Sequence, residues 1–140
     1  MTVRLNHTIV AARDKDAAAR FTAEMLGLAA PVTVEPFAVL QVGDTSLDFI
    51  DSRDAIAPQH YAFLVTEEEF DDIFARIRQR GLPYWADPAR SQRDKINEWD
   101  GGRGLYWNDP NGHLLEIITR PYGSGGTTAT HVHPLFASKG

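Results

Sequence analysis

The chain has 140 residues, 43% of them hydrophobic, and its 14 basic and 19 acidic side chains leave a net charge of −5. That length suits one domain with a real core, and the acidic balance argues against nucleic-acid binding, which wants a basic face. Cysteine is absent, which removes disulfides, thiolate ligands and a cysteine nucleophile; no run nears the roughly 18 apolar residues of a membrane span, and no signal-peptide pattern opens the chain, so a cytoplasmic protein without nucleic-acid or membrane partners is expected.

The first strand candidate is Leu5-Asn6-His7-Thr8-Ile9-Val10. A helix follows over about residues 14–26, where Ala18, Phe21, Met25 and Leu28 recur at helical spacing. A short strand near 31–34 precedes a hairpin of strands 37–42 and 46–50, with Gly43-Asp44 as its turn. The next strand candidate is Gln59-His60-Tyr61-Ala62-Phe63-Leu64-Val65. A second helix is predicted over about 67–80, with Phe70, Ile73, Phe74 and Ile77 as its buried stripe. Thr66 and Glu69 have capping-box spacing, and Gly81 suits the helix end. Strands are predicted at 83–86, 104–108 and 113–119, the last two joined by the turn Asp109-Pro110-Asn111-Gly112. Between them, about residues 88–102 form a charged, glycine-bearing insertion read as a loop. The tail, 123–140, reads as flexible or exchanged with a partner subunit.

The order repeats. Phe21 lies fourteen residues after His7, and Phe74 fourteen after His60. Two βαβββ modules, about 1–52 and 58–122, therefore make up an α+β domain over 1–122.

Three polar groups sit inside apolar strands: His7, His60 and Glu116. Burying such groups without partners is costly. Gathering them around a divalent metal offsets that cost and leaves coordination positions open for a substrate. Strand alternation puts His7 with Leu5 and Ile9, His60 with Ala62 and Leu64, and Glu116 with Leu114 and Ile118. Tyr61, Phe63, Leu115 and Ile117 fall on the opposite faces, suited to helix packing. Alone, a strand histidine is more often a satisfied polar group than a ligand; the matched positions in the repeat are what single these out.

The sequence resembles the vicinal oxygen chelate superfamily, which groups glyoxalases, bleomycin-resistance proteins and extradiol dioxygenases. Leu5-Asn6-His7, His60 at the opening of the second module, and the run from Gly102 through Asp109-Pro110-Asn111-Gly112 to Glu116-Ile117 carry the resemblance, which spans about residues 4–120. It implies a cupped mixed sheet with helices outside, and a divalent ion (iron, manganese, nickel or zinc) held by His7, His60 and Glu116. It also implies a homodimer. Asp48 occupies the repeat position of Glu116, where glyoxalase-like members have a glutamate. Being one methylene shorter, it is as well suited to supporting the site as to ligating. Tyr106, ten residues before Glu116, is a catalytic candidate whose phenol would donate to a developing oxyanion; the plainer reading is a packed aromatic.

The function expected is a divalent-metal enzyme whose small substrate chelates the ion through neighbouring oxygens, acting as a lyase or isomerase, a dioxygenase or a transferase. No histidine lies between Tyr61 and Gly112, which counts against ring cleavage. The alternative is a metal-free, bleomycin-resistance-like protein that sequesters an aromatic compound on Trp85, Trp99, Tyr106 and Trp107. Arg90, Arg93, Lys95, Asn97, Trp99 and Arg103 suggest either a lid that attracts an oxygen-rich substrate or a solvated loop. His113 should face away from Glu116, and His131 and His133 read as a polar tail.

Overall fold

The computed structural model describes residues 2–125. The predicted tail beyond 125, including His131 and His133, lies outside the described residues. The chain divides into two compact units, Met1–Pro58 with the turn Asp109–Gly112, and Gln59–Asn108 with His113 onward.

The first unit is β1 (His7–Ala12), α1 (Lys15–Leu26), β2 (Val32–Val34), β3 (Phe37–Val42) and β4 (Thr45–Asp51). Its strands form one mixed sheet in the order β1-β4-β3-β2, with β1 parallel to β4 and the other pairs antiparallel. Asp14 is the cap of α1 rather than its first residue: its side chain accepts from the Ala17 amide at 3.1 Å. Gly27, at φ 69°, ends the helix in the left-handed region. The buried stripe is Ala18, Ala19, Thr22, Ala23 and Met25. The predicted Phe21 and Leu28 are only half-buried, because the small alanine face is the one laid on the sheet. Beneath it lie Val10, Ala12, Ala38, Leu40, Leu47 and Phe49, all buried.

The second unit repeats the order: β5 (His60–Leu64), α2 (Glu67–Gln79), β6 (Tyr84–Trp85), β7 (Gly104–Asn108) and β8 (Leu114–Ile118), in a sheet β5-β8-β7-β6. This is the α+β architecture expected. The capping box of α2 is complete, with the Glu69 amide donating to Thr66 Oγ1 at 3.1 Å and the Thr66 amide to Glu69 Oε1 at 2.8 Å. Phe70, Ile73 and Ile77 are buried, and Phe74 meets Tyr84 edge-on at 5.1 Å. The helix therefore covers the Tyr84 face of this sheet.

The repeat extends to strand register. His7 pairs with Ser46, two residues before Asp48, and His60 pairs with Leu114, two residues before Glu116.

Residues 88–95 of the insertion are exposed, as a solvated loop would be, while Asn97, Asp100 and Gly102 are buried and the segment carries ordered hydrogen bonds. Asp87 accepts from the Ser91 and Gln92 amides at 3.0 and 2.8 Å. Asn97 exchanges two backbone hydrogen bonds with Gly104, and its buried side-chain amide donates to the Ala86 carbonyl at 2.8 Å. Gly102 allows a close approach: a Cβ there would lie 2.6 Å from both Arg120 Cγ and Thr119 Oγ1. In and just after the insertion, Arg90 and Arg103 are firmly engaged and Arg93 only loosely. Arg90 binds Asn108 Oδ1 through two nitrogens at 3.0 and 2.8 Å, Arg93 lies 3.8 Å from Asp94, and Arg103 joins Glu67 and Asp71 at 2.7 and 2.9 Å.

Candidate metal centre

In the second unit, Ala62, Glu116, Tyr106 and Trp85 form one row across the sheet. Alternation sends this row, with His60, to the face opposite α2. His60 Nε2 lies 3.0 Å from Glu116 Oε1, and His60 Nδ1 lies 3.0 Å from the Leu114 carbonyl oxygen. A carbonyl only accepts, so Nδ1 carries the proton and donates. The Glu116 carboxylate also only accepts, so the 3.0 Å contact needs a second proton at Nε2; loss of that proton leaves the lone pair at Nε2 with Nδ1–H still held by Leu114. The Glu116 side chain is 7% exposed and that of His60 46%. The hydrogen bond that His60 donates to Glu116 raises the His60 pKa above its usual 6.5, with burial opposing.

Tyr106 is a member of this cluster, not only a packed aromatic. Its hydroxyl hydrogen-bonds to Glu116, and burial, reinforced by that carboxylate, pushes its phenol well above the usual range. The ring stacks on His60 at 5.8 Å and 28°, and Trp99 meets it edge-on at 6.2 Å. These groups border a cavity of about 410 Å³. His60, Tyr106 and Glu116 form its polar part; Ala62, Pro88, Ile118 and Tyr122 supply the remaining wall.

His7 and Asp48 lie in the first unit. His7 is exposed, and its Nδ1 is 2.7 Å from Asn6 Oδ1. With that oxygen accepting, His7 presents Nε2 in the same tautomer as His60. Asp48 accepts from Ser46 Oγ at 2.9 Å. The structure brings His60, Glu116 and Tyr106 together. Among the described residues, no three His, Cys, Asp or Glu side chains are gathered around one point. His113 is buried as a structural group: its Nδ1 accepts from the Gln59 amide at 2.9 Å, and its ring meets Tyr61 edge-on.

The donor set fits a divalent metal. An imidazole with its lone pair oriented by a carbonyl and a buried carboxylate held by a phenol are hard-to-borderline ligands, suited to iron, manganese, nickel or zinc. Sequence reasoning missed Tyr122 and Pro88 as wall residues. The only signal available was the glycine pair Gly123 and Gly125 flanking the tyrosine's exit turn.

Residues 4–117 match the family described as the Glyoxalase/Bleomycin resistance protein/Dioxygenase superfamily. Among solved structures, the chain is similar to Oxidase ChaP-H2, at 61% identity and a TM-score of 0.87 over 90% of this chain and 100% of that one. It is also similar to Glutathione transferase FosA of Serratia marcescens, 33% identical over 84% of this chain and 81% of that protein. Metallothiol transferase FosB of Shouchella clausii (strain KSM-K16) is 27% identical over 82% of this chain and 79% of that protein.

Proposed function

Because the chain belongs to the glyoxalase/bleomycin-resistance/dioxygenase superfamily, whose members act on small molecules and are commonly dimers, we propose that it is a divalent-metal-dependent oxidase. Its substrate is a small, largely apolar aromatic compound bearing two neighbouring oxygens. The observation that carries this reading is the His60–Glu116–Tyr106 cluster on one side of an otherwise apolar cavity. His60 and Glu116 are two ligands of the metal, and the family pattern carried by Leu5-Asn6-His7 makes His7 the candidate that the variants below test as a third. When bound, the metal supplies Lewis acidity to the substrate oxygens and, as iron or manganese, a redox couple.

The chain's own residues do the rest. Leu114 holds the His60 tautomer. Glu116 fixes charge beside the substrate oxygens. Tyr106 remains a neutral phenol, so it donates a hydrogen bond and takes no negative charge. Ala62, Pro88, Ile118 and Tyr122 exclude water from the apolar body of the substrate. Asp48 serves by supporting its own strand through Ser46 rather than by ligation.

A transferase reading draws on the 33% and 27% identical relatives named as transferases. Against it, no Lys or Arg is among the residues lining the cavity, and Arg90 and Arg103 are bound elsewhere. The metal-free sequestration reading is disfavoured by the oriented His60–Glu116 pair, which a merely apolar trap does not need.

The test is metal analysis of protein purified without chelator, beside His7→Ala, His60→Ala and Glu116→Ala, with oxygen uptake on a catechol panel. Near-stoichiometric metal in the wild type, lost at least about tenfold in each variant, with oxygen consumed, is the expected result. Equal metal in all four proteins removes the trio as the site. Metal bound at the trio without oxygen uptake transfers the assignment to group transfer or isomerisation.

A further inference from the structure

The chain leaving β8 turns back at once. Ser124 donates to the Pro121 carbonyl at 2.9 Å, and one carboxylate captures the two amides on either side of that residue. Gly123 N–H donates to Asp100 Oδ2 at 2.8 Å, and Gly125 N–H to Asp100 Oδ1 at 3.3 Å. Asp100 is only 3% exposed and sits at φ 60°, a conformation that Asp and Asn tolerate better than most residues. A carboxylate this buried is costly unless hydrogen-bonded, and amide-to-carboxylate bonds are charge-assisted. Both oxygens of Asp100 are thus used to hold the exit segment.

Tyr122 precedes the first captured amide and borders the cavity with His60, Tyr106 and Glu116. Trp99 precedes Asp100 and meets Tyr106 edge-on. One aspartate therefore joins the insertion to the exit segment, and each contributes an aromatic ring at or beside the cavity. A cavity of roughly 150 Å³ already accommodates a benzene ring, so about 410 Å³ leaves room beyond a single ring in the cavity that Tyr122 borders.

We propose that Tyr122 is a specificity-determining residue and Asp100 its positioning residue, the two forming a wall that selects flat substrates broader than one ring. The assignment rests on the reading of His60, Glu116 and Tyr106 as the reactive centre. Anaerobic fluorescence titration of the intact protein with catechol and with a naphthalenediol carrying adjacent hydroxyls tests it, metal content being measured in every sample. The wild type prefers the naphthalenediol. Tyr122→Ala narrows that preference by about threefold to tenfold, the worth of one aromatic contact, and Tyr122→Phe retains it. Asp100→Asn, which keeps the backbone preference but only one acceptor oxygen, narrows the preference in the same direction. It also speeds hydrogen exchange at the Gly123 and Gly125 amides.

An unchanged preference in Tyr122→Ala overturns the role of Tyr122. Unchanged exchange and preference in Asp100→Asn overturn the role of Asp100. If the wild type binds neither probe and His60→Ala leaves metal content unaltered, the reactive-centre reading itself falls and carries this one with it.

Discussion

His60 makes two hydrogen bonds of different consequence. The one to the Leu114 carbonyl fixes which nitrogen is protonated, and the one to Glu116 fixes what the other nitrogen faces. Tyr106 completes the arrangement by donating to the same carboxylate from beneath the His60 ring. Tyr106→Phe keeps the ring and removes the donor. Turnover should fall by about 10²- to 10³-fold, as when one preorganised donor is removed, with metal content unchanged. Steady-state kinetics beside metal analysis check this, and undiminished turnover would reduce Tyr106 to packing. His60 and Glu116 were legible as polar groups inside apolar strands, whereas Tyr106 entered only through the family resemblance. Tyr122 and Asp100 were not legible, since their roles depend on hydrogen bonds spanning 23 and 25 residues, which no local periodicity encodes.

At the scale of elements, α2 was the more legible helix because its start is written in side chains. The Thr66–Glu69 box satisfies two amides that a helix end otherwise leaves unpaired. Thr66→Ala should cost about 1 kcal/mol, a fall of about 3 °C in Tm for a chain this long; calorimetry showing no change would mean the cap is redundant. In α1 Phe21 and Leu28 misled, because its alanine side packs most closely, while Ala18 and Met25 are buried as expected. The insertion is a loop, as expected; what local pattern did not show is its order, which comes from Asp87, Asn97 and Asp100 hydrogen-bonding to backbone between 4 and 25 residues away. Gly102→Ala tests that order, since its Cβ would meet Arg120 and Thr119 at 2.6 Å. The variant should unfold at lower urea, by the equivalent of about 1–3 kcal/mol; an unchanged midpoint would show that the Arg120 side chain simply swings aside.

The same region has an acid sensitivity of predictable sign. Hydrogen bonds from Thr119, then Arg103, hold the Glu67 carboxyl below its usual 4.5, with burial opposing. A lowered folded-state pKa stabilises above 4.5, and that contribution is lost as pH falls through the lowered value. Glu67 is mostly exposed, so the effect is under about 1 kcal/mol. Urea midpoints measured above 4.5 and well below it should converge in Glu67→Gln relative to wild type. The same acid loss in both proteins would assign it to other carboxylates.

For the whole molecule, the repeat was legible from the spacing of His7 and His60, yet the two sheets use their equivalent faces differently. In the second unit the face bearing His60 borders a cavity. In the first unit the row Ile9, Asp48, Val39 and Val32 lies on the face opposite α1, with Ile9 55% and Val32 63% exposed, and Val34 nearby at 56%. Val32 and Val34, exposed side by side at the β2 edge of this face, are apolar surface of the kind a partner covers. In a superfamily whose members commonly dimerise, a second copy of the chain is the occupant we expect. A net charge of only −5 opposes self-association weakly at physiological salt. Sedimentation equilibrium should therefore give twice the chain mass of 15.6 kDa. Val32→Asp with Val34→Asp, both on a short strand that donates nothing to the core, should shift it to the single-chain mass with far-UV circular dichroism unchanged. A wild type that sediments as one chain at every concentration would leave that face to a different partner, and a double variant that still sediments as two would place the contact elsewhere.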